Sequence, residues 1–520
     1  MRKPPRTHRK AWVLAIALSL SATTTLAGCG ATSPPPPTAK AGGTVVVGLP
    51  VDPDTLVPWK ALKINAVKVV GVLYSTLTQY DADMKVQPGL AESWDISPNG
   101  LEVTFNLRDG VTFSDGSELN SEDVKYTLEL IQNPDSTAVS SADLVNVDSI
   151  ETPDALTVVM HLNAPNAGLP TNLANPTMSI VPDGATEESL ASEPAGSGPF
   201  VLASRVVGES LTLVRNDNYW VPDEPKLDGI EFRVIPDQAS LASALQSGSI
   251  DIVAFDDPII AHTVESSRVS LQQTPEQHYH AIILNSDSAA FSNVNARLAL
   301  QCAIDRQEII DTVVSGDGEP TGPINTQPYL SDPNLQPCPA RDLGKAAAYL
   351  DEAGVSNGFS FDMVVSSDLY ATGVNIAQNI QAQLAEANIT VNLRILESGA
   401  YVASWKDPAT RDSVLVLAGG NSPDPDSLYG SYFGVNGPRA AVAGYSTPEL
   451  QDLFTEGKST ADGPERKAIY DEISSHLVDN AVWIWLFTGY NFTGVTQRVL
   501  GFVPTPTGSF ASLARVTVTD

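Results

Sequence analysis

The stretch GIEFRVIPDQASLASALQSGSIDIV, residues 229–253, decides the fold class of this chain. An apolar strand leads into a helical segment, a Gly-Ser turn and a second apolar strand, which is the pattern of a βαβ unit. Residues 359–397 repeat this order with FSFDMVVSS, IAQNIQAQLAEANI and TVNLRILE. Two such zones predict an α/β protein with two lobes. Residues 101–119 and 143–162 alternate like strands and predict an extra β-rich domain.

The length and the net charge of the chain limit the number of lobes and the classes of partner that we expect. The chain has 520 residues, which favours two or three lobes over one hydrophobic core. Hydrophobic residues make up 42% and charged residues 18%, as in globular proteins. The net charge is −31, so we expect no nucleic acid and no anionic lipid surface as partner.

The first 28 residues have the composition of a secretory signal peptide. A head with five basic residues precedes AWVLAIALSLSATTTLAG, which carries no charge. The stretch ends in LAGC at Cys29, which resembles the lipobox of bacterial lipoproteins. That resemblance implies cleavage before Cys29 and a lipid on its thiol, whereas a retained membrane anchor is the alternative. Residues 29–42, with the run SPPPP, predict a disordered tether.

The remaining cysteines and the histidines leave alternatives open. In an oxidising compartment, Cys302 and Cys338 form either a disulfide or two buried thiols. His278 and His280 share one face of a strand, so they could bind a metal together, or they are ordinary strand histidines. No third ligand is evident, and no nucleophile–base motif or phosphate loop is present. We therefore expect no metal, no cofactor, no catalytic residue and no enzymatic activity.

Several segments resemble family 5 extracellular solute-binding proteins, the peptide and nickel receptors of ABC importers. The longest is LYSTLTQYDADMKVQPGLAESWDISPNGLEVTFNLRDGVTFSDGSELNSEDVKYTLE, residues 73–129. The segments GSGPFVL, LVRNDNYW, ALQSGSIDIV, ARLALQCAIDRQEII and SPDPDSLY follow in the order of the family, and the resemblance covers residues 43–520. It implies a two-lobed, periplasmic-binding-protein-like fold of type II, cluster C.

The resemblance also implies domain bounds and partners. Domain I would comprise residues 43–86, 198–280 and 490–520, domain II the β-rich insert 87–197, and domain III residues 281–489. Hinge closure would enclose a small solute or peptide between domains I and III. The partners would be the membrane, through the lipid on Cys29, and an ABC permease with its ATPase. The protein would act as a monomer at the outer face of the cytoplasmic membrane.

One segment, LVLAGGNSPDPDSLY at residues 415–429, bears on ligand choice. Peptide-binding members usually have Trp-Gly-Ala-Asp-Tyr-Pro-Asp-Pro here, and their first aspartate binds the α-ammonium of the peptide. This chain has Asn421 at that place, and an amide carries no charge. A free peptide N-terminus would lose its ion partner unless another acid, such as Asp256 or Glu397, replaces it. The following Asp424 mostly shapes the loop in this family.

Residues near strand ends are the predicted ligand contacts, because ligands of open α/β lobes bind there. These residues are Tyr74, His280, Asn285, Tyr401, Gly420, Asn421 and Trp483. The predicted function is capture of a solute, in the first place a peptide, for an ABC importer. The alternatives are a receptor for a sugar, siderophore or metal chelate, a secreted hydrolase, and a sensor or adhesion lipoprotein that feeds no permease.

Overall fold

The computed structural model describes residues 41–519, except 328, 371, 420–421, 435–436 and 438. The predicted signal peptide, Cys29 and most of the predicted tether lie outside these residues. Ala39–Asp520 forms one compact unit that contains every core residue described below. In this described part of the chain, no helix is long and apolar enough to cross a membrane.

Strands and helices alternate along most of the chain. The strands are β1 Thr44–Leu49, β2 Thr78–Tyr80, β3 Val86–Pro88, β4 Ala91–Ile96, β5 Glu102–Leu107, β6 Val147–Asp154, β7 Thr157–Leu162, β8 Phe200–Val206, β9 Ser210–Arg215, β10 Gly229–Val234, β11 Ile252–Phe255, β12 Val269–Leu284, β13 Gly318–Pro320, β14 Ser360–Ser366, β15 Thr390–Leu396, β16 Ser413–Ala418, β17 Trp483–Thr496, β18 Val499–Leu500 and β19 Thr517–Val518. The α-helices are α1 Ile64–Leu73, α2 Ser121–Gln132, α3 Leu169–Asn172, α4 Glu187–Ser192, α5 Gln238–Ser247, α6 Pro258–His262, α7 Val294–Ala303, α8 Arg306–Val313, α9 Leu343–Glu352, α10 Gly373–Ala385, α11 Ser398–Lys406, α12 Pro425–Phe433, α13 Ala440–Ala443, α14 Pro448–Ser459 and α15 Pro464–Asp479.

Both predicted βαβ units are present. Strands β10 and β11 pair with β1 in parallel on its two sides and are joined by α5. Strands β14 and β15 pair in parallel and are joined by α10. The predicted α/β fold class is therefore confirmed at the level of topology.

One large sheet contains both units. Its strand order is β15-β14-β16-β12-β17-β11-β1-β10-β9-β8, and β13 pairs with β17. The long strands β12 and β17 run antiparallel through the middle of this order. Strand β12 pairs with β16, which is followed by β14 and β15. Strand β17 pairs with β11, which is followed by β1 and its neighbours. The two α/β zones are thus joined through β12 and β17.

The β-rich insert is a separate antiparallel sheet of order β4-β5-β7-β6. Strand β5 pairs with β4 and β7 on its two sides. Residues 111–119 contribute the isolated bridge between Thr112 and Glu118, and not a second strand against β5. The alternation in this part of the sequence indicated strands correctly but overestimated their number.

The segment NVNARLALQCAIDRQEIIDTVV has the pattern of one long amphipathic helix, but the structure divides it into α7 and α8. The division has a local cause, because the Asp305 side chain accepts a hydrogen bond from the Glu308 backbone N–H at 3.1 Å. Such an N-cap begins a new helix. Cys302, at the end of α7, is joined to Cys338 in a disulfide with a Cα–Cα distance of 5.0 Å.

Within the described ranges, buried apolar residues form four clusters rather than one core. The largest joins β1 and α1 to the β-rich insert. A second, smaller cluster of the same zone packs α5 and α6 against β11. Two clusters pack on the strands β14 and β16, one against α7 and α10 and the other against α12, α14 and α15. Separate cores allow two parts of a chain to move relative to one another.

Candidate functional site

The carboxyl ends of β14, β15 and β16 lie at one edge of the large sheet, because these three strands are parallel. Strand β16 ends at Ala418, and the chain then reaches Ser422, Pro423 and Asp424 before α12 begins. In open α/β sheets, this edge is where ligands bind. We therefore take the surroundings of Gly419 and of Ser422–Asp424 as the candidate site.

Asp424 is fixed from inside the protein. Its carboxylate accepts hydrogen bonds from Arg466 Nη1 at 2.6 Å and Nη2 at 3.2 Å, and it caps α12 through the Asp426 backbone N–H at 2.9 Å. Burial by itself lowers the pKa of Arg466, but the charge of Asp424 raises it above the ordinary value. Asp424 is thus bound to a fully buried cation, and its part in the site is to hold the loop in place.

A β-bulge in β12 lies beside this loop. Pairing with β17 shifts between Pro275 and Tyr279, which leaves Glu276, Gln277 and His278 outside the regular ladder. The Asn325 side chain holds the bulge by donating to the carbonyl oxygens of Glu276 and Gln277, at 3.2 and 2.9 Å. Bulges re-aim side chains and often occur next to functional sites.

The loop and the bulge are connected by the segment that contains Asn325. The hydroxyl of the next residue, Thr326, donates to the Pro423 carbonyl oxygen at 2.9 Å. Asn325 also donates to Thr488 Oγ1 at 3.1 Å, and Thr488 in turn donates to the His278 carbonyl at 2.8 Å. The position of the loop therefore depends on β12 and β17 through these hydrogen bonds.

The bulge presents a carboxylate near other charged groups. Burial, and then the negative charge of Asp256, raise the pKa of Glu276. Burial lowers the pKa of Lys68, and the attraction of Asp256 opposes that change. Glu276, Asp256 and Lys68 thus form one electrostatic group with two acids and one base, which can bind a cationic end of a ligand.

Two histidines continue this face of β12. His278 lies against Gly419, where a Cβ atom would be 2.3 Å from His278 Cδ2. Burial, and then the charge of His278, lower the pKa of His280 to about 4. The His280 imidazole is therefore neutral at pH 7, whereas the His278 side chain is exposed. The His280 Nδ1 atom is buried and has no hydrogen-bond partner in the part of the chain that the structure describes.

Of the predicted contacts, Tyr74, Tyr401 and Trp483 are buried. The Tyr74 hydroxyl donates to the Leu56 carbonyl at 3.1 Å, and the Tyr401 hydroxyl donates to the Leu415 carbonyl at 2.9 Å. Trp483 packs edge-on against Tyr432, with ring centroids 4.8 Å apart. Gly420 and Asn421 lie outside the described residues. The role of all five in binding stays a prediction.

The strand pairing places Asn285 away from the candidate site, and it places Trp483, which is opposite Ile283, at the same distant end of β16. Asn285 follows β12 at Leu284, which pairs with Ser413 at the start of β16, whereas the candidate site follows the end of β16. The Asn285 Nδ2 atom donates to the carbonyls of Pro408 and Arg411, at 2.9 and 3.2 Å. Asn285 lines a separate surface pocket of about 640 Å³ at that opposite end.

Sequence patterns missed three residues of the site region, namely Glu276, Asn325 and Asn172. Glu276 precedes the apolar run of its strand, and Asn325 stands in an irregular segment. Asn172 Oδ1 accepts a hydrogen bond of 2.7 Å from Ser422 Oγ, across 250 residues of sequence. Local spacing carries no signal for contacts of that separation. Among the described residues, no group of three or more His, Cys, Asp or Glu side chains could hold a metal ion.

The comparison with protein families decides the class. The model of the bacterial extracellular solute-binding proteins, family 5 Middle, matches residues 85–439. The chain belongs to this family. The predicted class of function, a solute-binding protein of an ABC transport system, is confirmed, and the family is one of binding proteins rather than enzymes. Family membership also supports a location outside the cytoplasm.

Individual relatives match this chain over most of its length. The glutathione-binding protein GsiB of Pectobacterium atrosepticum is 28% identical, over 88% of this chain and 91% of its own. Heme-binding protein A of Haemophilus influenzae is 27% identical, over 84% and 85%. The ABC transporter substrate binding protein CtaP of Listeria monocytogenes has a TM-score of 0.80 at 27% identity, covering 92% and 100%. The predicted type II periplasmic-binding fold is therefore confirmed.

Proposed function

We propose that this family 5 protein is a lipid-anchored receptor that encloses a peptide-like solute between two lobes and delivers it to an ABC permease with its ATPase. The observation that carries the proposal is the site at the carboxyl edge of β16, where the Ser422–Asp424 segment lies beside the β12 bulge with Glu276 and the nearby Asp256. Family membership supplies the class, and the site supplies the polar groups that a solute needs.

The lobes that we propose follow the sequence-based bounds. One lobe comprises domain I, at 43–86, 198–280 and 490–520, together with domain II at 87–197, and the other is domain III at 281–489. The division into separate apolar clusters supports these bounds. The bulge of β12 lies near residue 280, where domains I and III meet, and would serve as the hinge.

The anchor rests on the sequence. The lipobox resemblance at LAGC supports lipidation of Cys29, and the extracytoplasmic family supports export. A lipid and a short proline-rich tether would hold the receptor at the outer face of the cytoplasmic membrane, close to its permease. Radiolabelled palmitate incorporation into the full chain, lost on Cys29→Ala, would test this part separately.

For the ligand, we favour a peptide-like solute whose cationic end meets Glu276 and Asp256. Glutathione, the ligand in the name of GsiB, is itself a tripeptide, which supports this class. Asn421 supplies no charge, so a free α-ammonium needs another acid. Glu276 supports that role because its carboxylate has no ion-pair partner among the described residues and feels a second acid, Asp256.

The test is a thermal-shift panel on Ala39–Asp520, with each peptide paired with its N-acetylated twin and with haem, sugars and metal chelates included. A ligand at a hundredfold excess over its dissociation constant stabilises the folded state by about 2.7 kcal/mol. We expect free peptides to raise the melting temperature and their acetylated twins to fail. Stabilisation by sugars or chelates alone would refute a peptide-like solute.

A matched pair of variants tests which carboxylate binds the α-ammonium of the ligand. Glu276→Gln should abolish the preference for a free N-terminus, whereas Glu397→Gln should leave it unchanged. Glu397 is exposed and follows β15, two strands away from β16 in the sheet order. Equal effects of both substitutions would show that neither carboxylate binds the ammonium.

A further inference from the structure

A second set of contacts joins the two proposed lobes away from the bulge. We name it the lip contact and define it by Ala167, Gly168 and Asn172 on one side and by Ser422, Asp424, Ser427 and Lys458 on the other. The first side adjoins Leu169, which belongs to the core cluster of β1 and α1. The second side adjoins Leu428 of the cluster that contains α12. The lip contact therefore bridges two separate cores.

The bridge is polar. Asn172 Oδ1 accepts hydrogen bonds from Ser422 Oγ at 2.7 Å and from Ser427 Oγ at 3.1 Å. The Ala167 backbone N–H donates to the Lys458 carbonyl oxygen at 2.9 Å. Each of these groups can exchange its partner for water, because the net contribution of one such hydrogen bond is only about 1 kcal/mol. A contact of this kind can form and break reversibly.

Gly168 shows how closely the two sides fit. Its backbone has φ −79° and ψ −7°, a conformation that any residue adopts, so the backbone does not require glycine. A Cβ atom there would lie 2.6 Å from both Cγ and Oδ2 of Asp424. Asp424 is held by Arg466 and by its cap on α12, so it has little freedom to move away. A residue larger than glycine at position 168 is therefore incompatible with this closed arrangement.

The lip contact is also desolvated. Asn172 is 6% exposed, Ser422 8% and Asp424 3%. The contacts named above are formed by the protein's own groups, so they need no ligand to complete them. The closed arrangement is therefore self-complementary at the lip.

We infer that the lip contact is a latch that keeps the cleft closed without ligand. In this latch, Asn172 Oδ1 accepts the hydrogen bonds of both serines, and the absence of a side chain at Gly168 leaves the space that Asp424 occupies. The inference rests on the proposed function only in assuming that the two lobes move by a hinge. The hydrogen bonds of this latch join protein groups to one another, so the closed arrangement can form before any ligand binds.

The experiment measures the distance between the lobes in ligand-free Ala39–Asp520. Spin labels are placed on cysteines introduced at Glu188 and Glu472, which are exposed residues on the two sides. Cys302 and Cys338 form a disulfide and take no label. Pulsed electron–electron dipolar spectroscopy then gives the closed and open populations. We expect a closed population in the unsubstituted protein without any ligand.

Two substitutions should open the latch. Asn172→Ala removes the acceptor of two hydrogen bonds and should lower the closed-to-open ratio by about tenfold. Gly168→Ala should eliminate the closed distance, while the urea midpoint stays unchanged because alanine fits the backbone at this position. The control is Asn146→Ala, since Asn146 lies in the same insert and its side chain contacts Asn163 rather than the lip. The control should leave the populations unchanged.

The serines provide an independent check if Asn172→Ala alters folding. Ser422→Ala with Ser427→Ala removes the two donors to Asn172 Oδ1, together with the hydrogen bond that Ser422 Oγ accepts from the Asp424 backbone N–H. A double-mutant cycle with Asn172→Ala should show strong coupling. An entirely open ligand-free protein, or unchanged populations in both Asn172→Ala and Gly168→Ala, would overturn the latch. The readout uses no ligand, so an incorrect ligand class leaves it unaffected, whereas a single fixed distance in every variant would reject hinge closure itself.

Discussion

The two sides of the proposed cleft are built in different ways. On the hinge side, β12 and β17 pair through their backbones both before and after the bulge. On the lip side, the bridge consists of Asn172, two serine hydroxyls and one backbone hydrogen bond. A ladder of backbone hydrogen bonds persists when the lobes rotate, whereas a few side-chain contacts are readily exchanged for water. The comparison predicts where the molecule bends and where it separates.

The largest expected effect concerns Arg466, whose guanidinium binds Asp424 of the lip contact. Arg466→Met should lower the free energy of unfolding by about 3–5 kcal/mol, because Asp424 would remain buried without its partner charge. Urea denaturation would measure this. Lys467→Met is the control, since Lys467 pairs with Asp471 at the surface and should cost about 0.5 kcal/mol or less. Equal losses in the two variants would contradict a supporting role for the buried pair.

The next effect concerns the segment that supports the hinge side. Cys302→Ala with Cys338→Ala opens a loop whose ends are 36 residues apart in sequence. We expect the free energy of unfolding to fall by about 3 kcal/mol, because the unfolded chain gains conformational freedom. Calorimetry with and without reductant measures it. Reductant should destabilise the unsubstituted protein by a similar amount and leave the double variant unaffected.

A smaller effect should follow from loosening the bulge. Asn325→Leu removes the hydrogen bonds to the Glu276 and Gln277 carbonyls and to Thr488. We expect a loss of about 2 kcal/mol in the free energy of unfolding, together with weaker binding of any ligand found in the thermal-shift panel. The exposed Asn392, replaced in the same way, should change neither. Unaltered binding in Asn325→Leu would indicate that the bulge does not position the ligand.

The smallest expected effect is a pH dependence of closure. Burial, and then the charge of Asp424 across the lip, raise the pKa of Asp143 to about 6. Tyr80 also faces Asp143, and Arg466 neutralises part of the charge of Asp424. A carboxyl group with a raised pKa binds protons more strongly in the closed form, so closure should be favoured below pH 6 and weakened as the pH rises through 6.

The dipolar distance measurement between pH 5 and pH 8 would check this prediction. We expect a severalfold increase in the closed-to-open ratio at the acidic end. Asp143→Asn has no proton to gain at this position and should show a flatter profile. An unchanged slope in that variant would assign the pH dependence to another group.

Local patterns were sufficient for much of the fold. The two βαβ units follow from apolar periodicity and turn residues, which act over a few positions. The same reasoning failed for α7 and α8, because the apolar pattern continues across Asp305 while the cap of that residue begins a second helix. For the site, the sequence predicts ligand contacts in the segment after β16, and that stays a prediction. It also proposed Asn285, which the strand pairing places at the opposite end of β16.

The sequence by itself determined the α/β class, the family and the chemical character of the segment after β16. These properties depend on residue types and short spacings, which one chain displays directly. The tertiary structure alone decided that Asn172 meets Ser422 and that Gly168 faces Asp424. It also decided that Asn325 holds the β12 bulge. Such contacts join distant parts of the chain, and they exist only once the separate cores have packed and set the distance between the lobes.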